Sequence, residues 1–81
     1  MALYTEEQKV NISKNINFIR MQKGETLAEF GERLNTSRMT VNNWEKKRNA
    51  PKLSNILKIA IIADVTVHDF INNNFAEKRN I

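Results

Sequence analysis

The sequence predicts an all-α domain, and three observations predict it. Apolar residues recur at helical spacing, as Ile12, Ile16 and Ile19 do. Hydroxyl residues followed three positions later by Glu, Gln or Asp stand before apolar stripes, at Thr5–Gln8, Thr26–Glu29 and Thr66–Asp69. Gly occurs twice and Pro once in 81 residues, too little turn chemistry for many short strands. A chain of this length supports one small domain with a compact core.

Each element follows from its own punctuation. The first helix is expected within Thr5–Lys23, with Thr5 as N-cap and Gly24 as a left-handed stop. Thr26 and Glu29 open a second helix that runs to about Leu34 on a stripe of Leu27, Phe30 and Leu34. Gly31 inside it costs about 1 kcal/mol relative to Ala, so close approach of another helix backbone is the expected compensation. Asn35 tolerates the left-handed region and turns the chain. Thr36 or Ser37 then caps a third helix reaching about Lys46. Residues Lys46 to Lys52 read as a loop, with Pro51 near its end.

The fourth helix, Leu53–Ala63, is the most apolar stretch, LSNILKIAIIA. Leu53, Ile56, Leu57 and Ala60 share one face, Ile61 and Ile62 turn toward the polar side, and Asp64 ends the helix. Thr66 opens a short fifth helix holding Val67, Phe70 and Ile71. From Asn72 the composition turns polar, which gives a domain over residues 1–74 and a short polar C-terminal tail over residues 75–81.

Composition narrows the function classes. Without Cys there is neither a disulfide framework nor a thiolate metal site. The one His, His68, reads as a surface residue of the last helix. No Gly-rich phosphate loop and no nucleophile–base spacing is present, so no enzyme, metal or cofactor is expected. The N-terminus, MALYTEEQKV, lacks the apolar segment of a signal peptide, and no apolar run reaches membrane-spanning length. A soluble cytoplasmic protein with no membrane partner fits this pattern.

The net charge of +4 is concentrated in one place. Between Arg38 and Lys52 stand Arg38, Lys46, Lys47, Arg48 and Lys52 against Glu45 alone, and the rest of the chain is neutral. Either a solvated face or a polyanion partner accounts for that segment.

At 100° per residue, Val41 and Trp44 lie on one side of the third helix. Met39, Asn43 and Lys46 lie on the other, flanked by Asn42 and by Thr40 with Lys47, while Arg38 projects from the N-terminal tip. An apolar anchor therefore backs an amide-and-cation face. Arg can donate two hydrogen bonds to guanine, Asn can bond bidentately to adenine, and Met can cover a thymine methyl in the major groove. The Lys-Lys-Arg run beside them would meet phosphates and set register. Two adjacent Asn in a surface helix have no evident stability rationale, which favours a reading role over mere solvation.

The order Gly31, Asn35, Ser37, Val41, Trp44-Glu45, KKRN-AP and LSNILKIAIIADVTVHDF resembles the Cro/phage-repressor, or lambda-repressor-like, helix-turn-helix DNA-binding family. The resemblance spans roughly Ile12 to Ile71. It implies a five-helix fold with the helix-turn-helix at helices two and three. It implies a sequence-specific transcriptional regulator, a repressor of bacterial or phage origin, binding double-stranded DNA as a homodimer on a palindromic operator. Arg38, Met39, Asn42 and Asn43 fall on the family's base-reading positions. Thr26, Ser37, Thr40, Lys46, Lys47, Arg48, Asn49 and Lys52 fall on its backbone-contacting ones. Arg20 and Glu45 match its structural lock, and Val41 and Trp44 its core anchor. Ile61, Ile62, Phe70, Ile71 and Phe75 are candidate dimer contacts. Leu27, Asn15 and Asp64 depart from the family, which commonly has Gln, a basic residue and Gly there. An antitoxin or anti-repressor that binds protein through the same fold is the alternative.

Overall fold

The computed structural model describes residues 4–75. They form α1 (Glu6–Gln22), α2 (Leu27–Arg33), α3 (Arg38–Glu45), α4 (Leu53–Ala63) and α5 (Val67–Asn72), with no strand among the described residues. The caps fall where the hydroxyl residues stand. Thr5 and Thr26 make reciprocal capping boxes with Gln8 and Glu29, and Ser37 and Thr66 accept from the backbone N–H of Thr40 and Asp69. No helix among the described residues is long and apolar enough to cross a membrane.

Helix α1 is the spine against which α3 and α5 pack, and α2 pairs with α3. Ile12, Ile16 and Ile19 meet Phe30, Leu34, Val41, Trp44, Ile56, Ile59 and Phe70 in one core. Gly31 lies against the turn that follows its own helix. A Cβ there would sit 2.9 Å from the Thr36 carbonyl oxygen and 3.0 Å from that of Ser37. The neighbour is thus the turn and the α3 N-cap, where a helix backbone was expected. The missing methyl lets α2 and α3 meet at close quarters.

Four helices stop in the same way. The residue after the last turn takes a left-handed conformation at Gly24, Asn35, Lys47 and Asp64, with φ of 69°, 57°, 63° and 59°. At each stop its N–H and the next one return to carbonyls of the last turn, as Asn35 to Glu32 and Thr36 to Gly31 do at 3.0 and 2.8 Å. This Schellman pattern satisfies carbonyls that a helix end would leave bare.

The expected inner face of α4 is rotated. Leu53 and Leu57 are 54% and 46% exposed, while Ile56, Ile59 and Ala60 face the core and Ile62 packs at its edge. The segment is apolar nearly all round, so helical periodicity admits more than one inward stripe. Of the candidate dimer contacts, Phe70 is fully buried in its own core. Ile62, Ile71 and Phe75 are partly buried against that core, and Ile61 is open at 78% exposure.

A ladder of amide side chains fastens α5 to α1. Asn15, fully buried, donates through Nδ2 to the Phe70 and Asn73 carbonyls, both at 2.7 Å, and accepts from the Phe75 N–H at 2.9 Å. Asn11 donates to the Ile71 carbonyl at 3.2 Å and Gln8 to Asn72 Oδ1 at 3.0 Å. The exposed carbonyls of a six-residue helix are thus met from α1. Phe75, assigned from sequence to the polar tail, stacks obliquely with Phe70 at a centroid distance of 6.4 Å. The remainder of that tail, residues 76–81, lies outside the described residues.

Candidate nucleic-acid interface

The inner side of α3 is fixed by Val41 and Trp44, which are 0% and 4% exposed. That anchoring turns Arg38 and Met39 to solvent, with Met39 68% exposed, and leaves Thr40, Asn42 and Asn43 half-buried beside them. At the N-terminal end, the Ser37 hydroxyl accepts from the Thr40 N–H at 3.2 Å and shares a hydrogen bond with the Thr40 hydroxyl at 3.0 Å. Both hydroxyls are therefore engaged in shaping the helix start.

The other end of α3 is pinned to α1. Arg20 grips Glu45 with two parallel bonds, Nε to Oε2 at 2.6 Å and Nη2 to Oε1 at 3.1 Å. Its Nη1 reaches the Glu25 carbonyl at 2.8 Å. Asn17 adds a bond to Glu45 Oε1 at 2.9 Å, and Ser13 donates to the Glu45 carbonyl at 2.8 Å. The hydrogen bonds to Glu45 raise the Arg20 pKa above the ordinary guanidinium value, with burial opposing. Forked geometry makes the pair a positional lock, since desolvation offsets much of its attraction. Arg20 and Glu45, matched from sequence to a structural lock, are thus in direct contact. The Asn17 and Ser13 contributions gave no sequence signal, because either could have been an ordinary surface polar residue.

Past α3 the chain turns through the Lys47 stop, which sends the Arg48 N–H back to the Asn43 carbonyl at 2.9 Å. The Arg48 side chain follows, donating from Nη1 to Asn43 Oδ1 at 3.2 Å. An amide on the polar face of α3 and a loop cation are thus one unit. Lys47 leans toward α1, with Nζ 3.9 Å from Glu6 Oε1, while Lys9 holds the other oxygen of Glu6 at 3.2 Å. Lys46, Asn49 and Lys52 are exposed. Thr26 is exposed at the start of α2, its hydroxyl taken by the Glu29 N–H at 3.1 Å.

A polar groove of about 400 Å³ runs between the α2–α3 turn and α4. Asn35, Thr36 and Thr40 form one wall and Ser54, Asn55 and Lys58 the other, and no acidic residue lines it. Lys58 was not singled out from sequence, because one Lys in an apolar helix carries no pattern; only the fold sets it opposite Thr40.

Comparison with known proteins adds two findings. The model of a family described as Helix-turn-helix matches residues 16–70. The crystal structure of the hypothetical transcription factor NHTF from Neisseria shares the fold, with a TM-score of 0.73 at 24% sequence identity. The match covers 100% of this chain and 95% of that one. Comparison with curated proteins gave no match.

Proposed function

The chain belongs to the Cro/phage-repressor type of the helix-turn-helix DNA-binding family, and from that premise we propose that it is a sequence-specific repressor of bacterial or phage origin. The observation that carries this reading is α3 itself. Val41 and Trp44 anchor it, Glu45 is clamped to α1, and a polar face of Arg38, Met39, Asn42 and Asn43 stands beside a cationic loop.

In this reading α3 enters the major groove. Arg38 donates to a guanine edge, Asn42 and Asn43 bond adenine edges, and Met39 covers a thymine methyl. Lys46, Arg48, Asn49 and Lys52 meet phosphates on one side, with Lys47 swinging from Glu6 to join them. Thr26 contributes through the N–H groups at the start of α2, while Ser37 and Thr40 flank the reading face. Two copies on a palindromic operator present one α3 to each of two major grooves about 34 Å apart.

Selection of bound duplexes from random DNA at a fixed salt concentration tests the reading. Enriched fragments are expected to carry inverted half-sites one helical turn apart. An Arg38→Ala, Asn43→Ala double variant that enriches the same sequences would sink the assignment of α3 as reader.

A further inference from the structure

Asn42 and Asn43 are adjacent and identical in type, and the fold treats their amides differently. Asn42 makes no side-chain hydrogen bond among the described residues, so its amide is open at both ends. Asn43 has its Oδ1 held by Arg48 Nη1 at 3.2 Å. Arg carries donors only, so the amide atom that it meets has to be the oxygen. The Asn43 Nδ2 group is what remains open, with no partner among the described residues.

The backbone keeps this pair in register. Lys47, with a left-handed φ of 63°, reverses the chain at the end of α3. The Arg48 N–H then returns to the carbonyl of Asn43 itself at 2.9 Å. Asn43 is also half-buried, which narrows the swing of its amide.

We propose that Arg48 is a positioning residue that sets the base read by Asn43, turning a residue that suits adenine into one that selects guanine. Adenine offers an acceptor at N7 beside a donor at N6, so it needs both ends of an amide. Here the oxygen end lies under a guanidinium, and the N6 amino group would bring donor against donor. Guanine offers acceptors at both N7 and O6. Those acceptors meet the open Nδ2 group and are drawn toward the same cation. The other N–H groups of Arg48 stay available to a phosphate, so one side chain ties a backbone contact to a base contact. The proposal rests on α3 as the reader; it moves Asn43 from adenine to guanine and leaves adenine to Asn42.

Selection from random duplexes by wild type and variants tests it. Asn43→Ala should erase the preference at one base pair, and wild type should hold G·C there. Arg48→Met keeps a long stem and removes every donor. Selected at salt low enough to offset a lost phosphate contact, it should prefer A·T at that pair, with the G·C to A·T ratio changed by roughly tenfold or more. A lost phosphate contact or a weakened fold lowers binding to all sequences and moves no preference. Wild type that holds A·T at the Asn43 pair, or Arg48→Met that keeps G·C, overturns the proposal. So does Asn43→Ala that selects the wild-type site. If Arg38→Ala erases a pair of its own in that last case, α3 remains the reader and only the Asn43–Arg48 assignment falls. If neither variant changes the site, both readings fall. Nitrogen relaxation of the free protein gives a second readout. The Asn43 side-chain amide should be as rigid as the α3 backbone in wild type and mobile in Arg48→Met; an amide already mobile in wild type overturns the proposal.

Discussion

At the residue scale, Asn43 and Arg38 carry the sharpest expectations. Asn43 is half-buried and its Oδ1 is taken by Arg48, so reading a base requires that bond to open or the pair to act together. Arg38 is free of such a bond and exposed. Arg38→Ala and Asn43→Ala should each lose roughly 1–3 kcal/mol of discrimination between operator and random DNA, measured by competition binding, with unchanged thermal melts. Equal discrimination in both variants would place base reading elsewhere. The sequence disclosed these residue types and their angular position, because a helix period is enough to sort side chains by face. The Asn43–Arg48 bond was not legible, since it depends on a left-handed turn at Lys47, and Lys gives no sign of that conformation.

At the element scale, the helix stops separate what sequence discloses from what it hides. Gly24 and Asn35 are residue types that accept positive φ, and Asp64 lies where an apolar run ends; Lys47 has no such mark. In the proposed reading, a long cationic side chain is kept in this strained conformation, at the edge of the cationic loop, for its charge. Lys47→Gly should therefore leave stability unchanged or raise it by up to about 1 kcal/mol, while affinity for all DNA falls. Urea denaturation and a binding isotherm on the same sample check this; loss of stability together with affinity would show that Lys47 is structural. The inward stripe of α4 was misread for a related reason. Near-uniform apolarity gives the helix no preferred side, and only packing against α5 and into the common core chooses Ile56 and Ile59 over Leu53 and Leu57. Asn15 was legible only as a departure from a basic residue, yet it bonds three backbone groups near the end of α5. Asn15→Leu should cost about 3 kcal/mol, since these buried groups would lose their partner. A denaturation midpoint equal to wild type would show that water or another side chain replaces it.

At the scale of the whole molecule, the charge sits on a segment that the fold gathers at one end of α3. Arg48, Lys46, Lys52 and Asn49 are exposed there, and Lys58 joins them across the groove. Arg48→Ala should weaken binding to every sequence and reduce the slope of log affinity against log salt by about 0.9, the value for one phosphate. An unchanged slope would mean that Arg48 serves only to hold Asn43. The sequence showed this segment clearly, because charge needs no fold to be counted. Its far wall stayed hidden, because Lys58 and Thr40 are distant in the chain and meet only through tertiary packing.

The amide ladder has a consequence for how the molecule opens. A helix of six residues has little stability of its own, and its last carbonyls are met by Asn11 and Asn15 of α1. Amide hydrogen exchange should therefore find the N–H groups of Phe70 and Asn73 protected to nearly the depth of those in the middle of α1. They would open in one cooperative step with that helix, where a frayed terminus would exchange freely.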